Sequence, residues 1–124
     1  MAGMLRALSM IQDARIASSA NPVIVDLHPD RPDYRGMGFG AEVVSMEADP
    51  TFDEVRGRGG IVDLHTEAHT VLDDMFLISG EIPRTTPYER GLANGWRYHG
   101  EEQAWKPDVL MLDERFMVCN VKGD

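Results

Sequence analysis

The chain has 124 residues, enough for one domain with its own core and too few for two. Its 12 Lys and Arg against 21 Asp and Glu give a net charge of −9, which repels phosphate backbones and anionic lipid, so nucleic acid and membrane surfaces are not expected as partners. The lone Cys119 excludes a disulfide framework, no apolar run approaches the ~20 residues of a membrane span, and the N-terminus lacks a signal-peptide pattern, so the expected compartment is the cytoplasm.

Met4, Leu5, Leu8, Ile11 and Ile16, with Ala7 and Ala14, lie at helical spacing and predict a helix over residues 3–18, stopped by Ser18-Ser19-Ala20-Asn21-Pro22. Residues 23–27 are mostly apolar and β-branched, as in a strand covered on both faces. A Pro- and Asp-rich loop over 28–35 and a glycine-punctuated stretch over 37–40 precede a strand over 41–46. Asp49 as N-cap with Pro50 in the first helical position predicts a short helix over 50–57, ended by Gly59-Gly60. From 61 to 72 the apolar Val62, Leu64 and Leu72 alternate with Asp63, His65, Glu67 and His69, a period of two that predicts one long strand. Asp73-Asp74 turns the chain into a strand over 75–79. Residues 91–106, with Trp96, Tyr98 and Trp105, form an irregular excursion, and 109–112 with 116–121 form a hairpin in which Cys119 is a buried thiol. A helix followed by a buried strand points to an α/β fold, a single domain over 1–124.

Pro83 and Pro87 stiffen the loop that follows, so Glu81, Arg84 and Glu89 leave a strand end on a semi-rigid segment suited to ligand contact. Arg31, Arg35 and Arg84 can each grip a carboxylate or phosphate with two donors, or form internal ion pairs with Glu81 or Glu89. His65 and His69 are four apart, which on a helix would let both hold one metal ion. On a strand the same spacing separates them by about 13 Å, and two surface histidines on a polar face are then expected. His28 with Asp26, Asp30 and Asp33 carries donors that suit zinc, manganese or iron, although Asp30 and Asp33 also serve to organise turns between Pro29 and Pro32. Trp96, Tyr98 and Trp105 either stack on a planar ligand or bury the excursion against the body. The sequence contains no nucleophile elbow, phosphate-cradling loop or dinucleotide fingerprint.

Phe76-Leu77-Ile78-Ser79-Gly80-Glu81-Ile82-Pro83-Arg84-Thr85-Thr86-Pro87-Tyr88-Glu89 resembles the signature segment of a branch of metallo-β-lactamase-fold hydrolases that includes the dihydropterin-methyl-aminobenzene ribofuranosyl phosphate synthases. Pro22-Val23-Ile24-Val25-Asp26-Leu27-His28-Pro29 followed by Arg35, and Asp113-Glu114 before a hairpin ending Val121-Lys122-Gly123, extend the resemblance. Relatives in that branch use two divalent metals (zinc, manganese or iron), held by a His-x-His-x-Asp-His motif and a later Cys-Ser-His-Ala-Gly motif, and neither occurs in these 124 residues. Met1-Ala2-Gly3-Met4-Leu5 resembles the residues that follow the first motif, and Lys122-Gly123-Asp124 the turn that leads into the second.

The resemblance implies the central part of an αββα sandwich and a partial or degenerate hydrolase-like protein, without cofactor and without catalysis on its own. It carries over His28, Arg35, Glu81, Arg84 and Glu89 as residues of substrate-facing loops, but no metal ligand. Two alternatives stand beside it. One is a metal-dependent hydrolase with a non-standard site built from His28, His65 and His69; the other is a non-catalytic module that binds a small anionic ligand, phosphate or pterin-like. For the partial or degenerate hydrolase, open sheet edges make self-association into a homo-oligomer an expectation.

Overall fold

The computed structural model describes residues 3–15 and 21–121, so the expected end of the first helix over 16–18, its stop sequence through Ala20, and Lys122-Gly123-Asp124 lie outside the described residues. In chain order the elements are α1 (Gly3–Arg15), β1 (Val23–Leu27), β2 (Tyr34–Phe39), β3 (Glu42–Ser45), α2 (Phe52–Gly57), β4 (Gly60–Leu64), β5 (His69–Val71), β6 (Phe76–Ile78), β7 (Gly95–His99), β8 (Ala104–Pro107) and β9 (Met117–Cys119). The fold is mixed α/β. β1 and β4 pair in parallel, β3-β2-β7-β8 form an antiparallel sheet, and β5-β6-β9 form a second antiparallel sheet.

The parallel pair needs a crossover, and β2, β3 and α2 supply it. α2 begins two residues later than Asp49-Pro50 suggests. Thr51 is its N-cap, taking a hydrogen bond from the Glu54 amide while the Glu54 carboxylate accepts from the Thr51 amide, so a reciprocal capping box outcompetes the Asp-Pro start. Gly59, at φ +79°, ends the helix as expected. Val55 of α2 is fully buried and, with Leu8 of α1 and Leu27 at the end of β1, makes up the buried apolar core among the described residues. β1 is not covered on both faces, because Ile24 and its register partner Ile61 both remain exposed.

The glycine-punctuated stretch lies in β2, one of the two inner strands of its sheet, which starts at Tyr34 within the expected Pro- and Asp-rich loop. A side chain at Gly36 would meet the Trp105 ring at 2.9 Å, and one at Gly38 would meet Trp96 Nε1 at 2.5 Å. The glycines therefore clear a path for two tryptophans to lie across the strand. Those tryptophans sit on β7 and β8, which turn residues 91–106 from the expected excursion into a hairpin packed on β2. Trp96 and Trp105 are half-buried against β2 by this packing.

The long strand over 61–72 is broken. β4 stops at Leu64, and β5 starts at His69 in a different sheet. Leu72, Asp73 and Asp74 all adopt left-handed backbone and turn β5 into β6. The expected hairpin of 109–112 with 116–121 does not form either: β9 pairs with β6 in the register Leu77↔Val118, and Cys119 is exposed there instead of buried. No helix among the described residues is long and apolar enough to cross a membrane.

Candidate metal centre and its surroundings

The break between β4 and β5 creates the most concentrated group of metal-ligand side chains among the described residues. The His65 amide donates to the Leu27 carbonyl at 3.0 Å, extending the β1–β4 ladder by one step. The chain then reverses through residues 66–68. The Glu81 amide donates to the Thr66 carbonyl at 3.0 Å, and the backbone of Gly80 packs so tightly against the reversal that a Cβ there would sit 2.7 Å from that same oxygen. His65 and His69 are thereby folded onto each other, with rings stacked at 3.7 Å between centroids and 21° between planes. The strand spacing that would hold them apart does not apply, because the segment is a turn.

Asp26 joins them from β1. Its Oδ2 pairs with His69 Nε2, and its Oδ1 accepts from Arg115 Nη1 at 2.7 Å. Asp26, His65 and His69 each place one ligand atom within 4.8 Å of the others. Asp63 stands beside Asp26 in the parallel register, and its Oδ2 lies 2.9 Å from His65 Nε2. That contact lacks hydrogen-bond geometry, so the ring nitrogen is buried without a hydrogen-bond partner. Ligand atoms about 2.1 Å from one ion stand roughly 3.4 Å apart in a tetrahedral site, so closure requires side-chain rotations of about an ångström. Two imidazoles and a carboxylate suit zinc, manganese or iron and leave a coordination position for water. Partial burial alone would lower the pKa of His69, but its bonds to the Glu67 carbonyl and the Asp26 carboxylate outweigh burial and raise it above the usual histidine range. An ion bound through His69 Nε2 would compete with protons for that nitrogen.

His28 stands outside this cluster. It is 2% exposed, its Nδ1 accepts from the Asp30 amide at 3.0 Å, and its Nε2 therefore carries the proton and faces Glu81 Oε1 at 2.9 Å. Both ring nitrogens are engaged, so His28 fixes the Glu81 loop to the end of β1 and offers no lone pair. Asp30 instead accepts from Arg97, and Asp33 accepts from the Gly100 amide, which ties the loop to the β7–β8 hairpin.

The other expected ligand-binding residues are held internally. Arg35 reaches Asp49 at 3.4 Å, Asp108 at 3.0 Å and Asp113. Burial tends to lower its pKa, but the bond to and the charge of Asp113, with Asp108 and Asp49, raise it. Arg84 donates to the Leu110 carbonyl and pairs with Glu114. Glu89 accepts from the Thr86 hydroxyl at 2.7 Å and the Thr86 amide at 3.0 Å. The internal partners of the arginines are thus Asp49, Asp108, Asp113 and Glu114, not Glu81 or Glu89. Asp63 and Arg115 escape sequence reasoning, since only strand register and tertiary contact place them beside Asp26.

A cavity of about 290 Å³ adjoins the centre, with Asp26, His28, Arg31, Ile78, Asp113 and Arg115 among its walls. A second, of about 330 Å³, lies against Arg35, Met46, Trp96, Asp108 and Met111. Comparison with protein-family models, with curated proteins and with solved structures gives no match to this chain.

Proposed function

We propose that this chain is a metal-binding α/β domain of hydrolase type, in which Asp26, His65 and His69 hold one divalent ion. The observation that carries the reading is their convergence within 4.8 Å around a turn that the Gly80-Glu81 backbone shapes. The same Gly80-Glu81 pair belongs to the segment that resembles the metallo-β-lactamase-fold branch. The proposal therefore includes a scaffold related to the central part of that αββα sandwich, with a single ion in place of the branch's two. An ion held there by Asp26, His65 and His69 would supply an acidified water, and Asp63, beside Asp26 in the strand register, would be the proton acceptor of this reading. The reaction class is hydrolysis.

A second reading, a degenerate hydrolase scaffold without catalysis, is supported by the internal pairing of Arg35 and Arg84. The two separate on one experiment. Chelator-treated protein is titrated with zinc and manganese by calorimetry, then assayed against chromogenic phosphate and carboxylic esters. One ion per chain is expected, with affinity falling at least tenfold in His65→Ala and in His69→Ala and unchanged stoichiometry in His28→Ala. Failure to retain an ion, or equal affinity in His69→Ala, overturns the metal centre; one bound ion without turnover selects the second reading.

A further inference from the structure

We infer that Arg31 is the receptor for the oxyanion end of a small ligand, a phosphate or carboxylate, bound in the cavity that Arg31 shares with Asp26 and Arg115. The Arg31 side chain is 5% exposed. Its Nη1 donates to the Pro50 carbonyl at 3.2 Å, and the guanidinium carbon stands 5.9 Å from the centre of the Phe52 ring. Its Nε and Nη2 are buried and make no hydrogen bond. The nearest carboxylate oxygen to Nη2 is Asp49 Oδ2 at 3.8 Å, an ion-pair distance beyond hydrogen-bond reach.

These two atoms form the edge of the guanidinium whose parallel N–H bonds match two oxygens of a carboxylate or phosphate. Folded proteins rarely leave such charged donors buried and unsatisfied, because each has lost its water without gaining a partner. The other charged groups in the cavity wall are already matched: Asp26 with Arg115 and His69, and Asp113 with Arg35. Arg31 is the residue of that wall with buried donors still unmet, and because both nitrogens are closed to water beside Asp49, a side-chain rotation must turn the fork into the cavity for an anion to meet it. The volume, about 290 Å³, admits one oxyanion with a small organic remainder. A ligand anchored there extends toward Asp26, and that placement beside an ion rests on the metal reading proposed above. The fork itself does not.

The test uses the full chain in two states. In chelator-treated protein, inorganic phosphate and acetate are titrated separately by calorimetry and by thermal melting; saturable one-to-one binding with a raised melting temperature is expected for one of them, which identifies the oxyanion. Arg31→Gln abolishes the binding, and Arg31→Lys weakens it at least tenfold, because an ammonium cannot make the two-pronged contact. Without anion, Arg31→Lys, which keeps the charge beside Asp49 and Phe52, melts close to the parent, so its weaker anion binding reports the lost fork and not unfolding. No saturable binding of either anion by the parent chain overturns the inference, as does undiminished binding by Arg31→Gln. A lower melting temperature in Arg31→Gln with binding retained assigns Arg31 to structure and also overturns it. Re-adding zinc then separates the two proposals: tighter anion binding places the ligand beside the ion, whereas unchanged anion affinity removes only that placement.

Discussion

Gly80→Ala is the sharpest probe of how this chain assembles its metal-ligand cluster. The added methyl carbon would lie 2.7 Å from the Thr66 carbonyl oxygen, 2.8 Å from the Ala68 nitrogen and 2.9 Å from the Glu67 carbonyl carbon. Relaxed carbon contacts stand at about 3.5–4.0 Å, and all three neighbours are backbone atoms, so the turn must retreat by roughly half an ångström to one. Overpacking of this kind costs about 1–3 kcal/mol, a large share of a total stability of about 5–15 kcal/mol. The same retreat moves His65 against His69, so zinc affinity should fall about tenfold or more. Urea unfolding of the metal-free protein reads the first effect, and zinc calorimetry reads the second. Gly57→Ala is the control, because nothing lies within 4 Å of a Cβ at that position. A Gly80→Ala protein within about 0.5 kcal/mol of the parent, a change typical of an ordinary surface site, and with the same zinc affinity would refute the idea that this glycine shapes the turn.

Arg35→Met withdraws the guanidinium from Asp108 and Asp113, which are both largely buried, and should cost about 3–5 kcal/mol in urea unfolding; a loss below about 1 kcal/mol would show that the cluster is not structural. Glu89 has its carboxyl pKa held below the usual glutamate range by the Thr86 hydroxyl and amide. Its contribution is therefore complete above the unfolded-state pKa and is lost as the pH falls through the depressed native value, and a carboxyl NMR titration with an ordinary or raised midpoint would contradict this. With Leu77 and Val118 exposed side by side on the β6–β9 pair, light scattering should find self-association at micromolar concentration, reduced by Val118→Lys; a monodisperse monomer at about 100 μM would exclude it.

Much of the local structure is legible in the residues alone. The start of α1, the run of β1, the existence of α2 and its end at Gly59, and β6 after the Asp73-Asp74 turn all follow from short-range spacing and from backbone preferences acting within a few residues. The histidines are legible as candidate ligands, and Asp26 as a carboxylate near one of them. Their mutual position is not. Period-two alternation over 61–72 is genuine, yet the strand breaks where the Gly80 backbone, more than ten residues further along, presses on the turn and ties Thr66 to Glu81.

Residue chemistry and short-range backbone preference thus determined which elements could form and which side chains could bind a metal or an anion. Tertiary structure decided the rest. Gly36 and Gly38 become a strand because tryptophans from β7 and β8 lie across them. Arg35 is paired with Asp49, Asp108 and Asp113, up to 78 residues away, whereas Arg31 keeps a buried edge without a hydrogen bond. An ion pair or a metal cluster depends on distances of a few ångströms between segments remote in sequence, and the packing of those segments sets these distances.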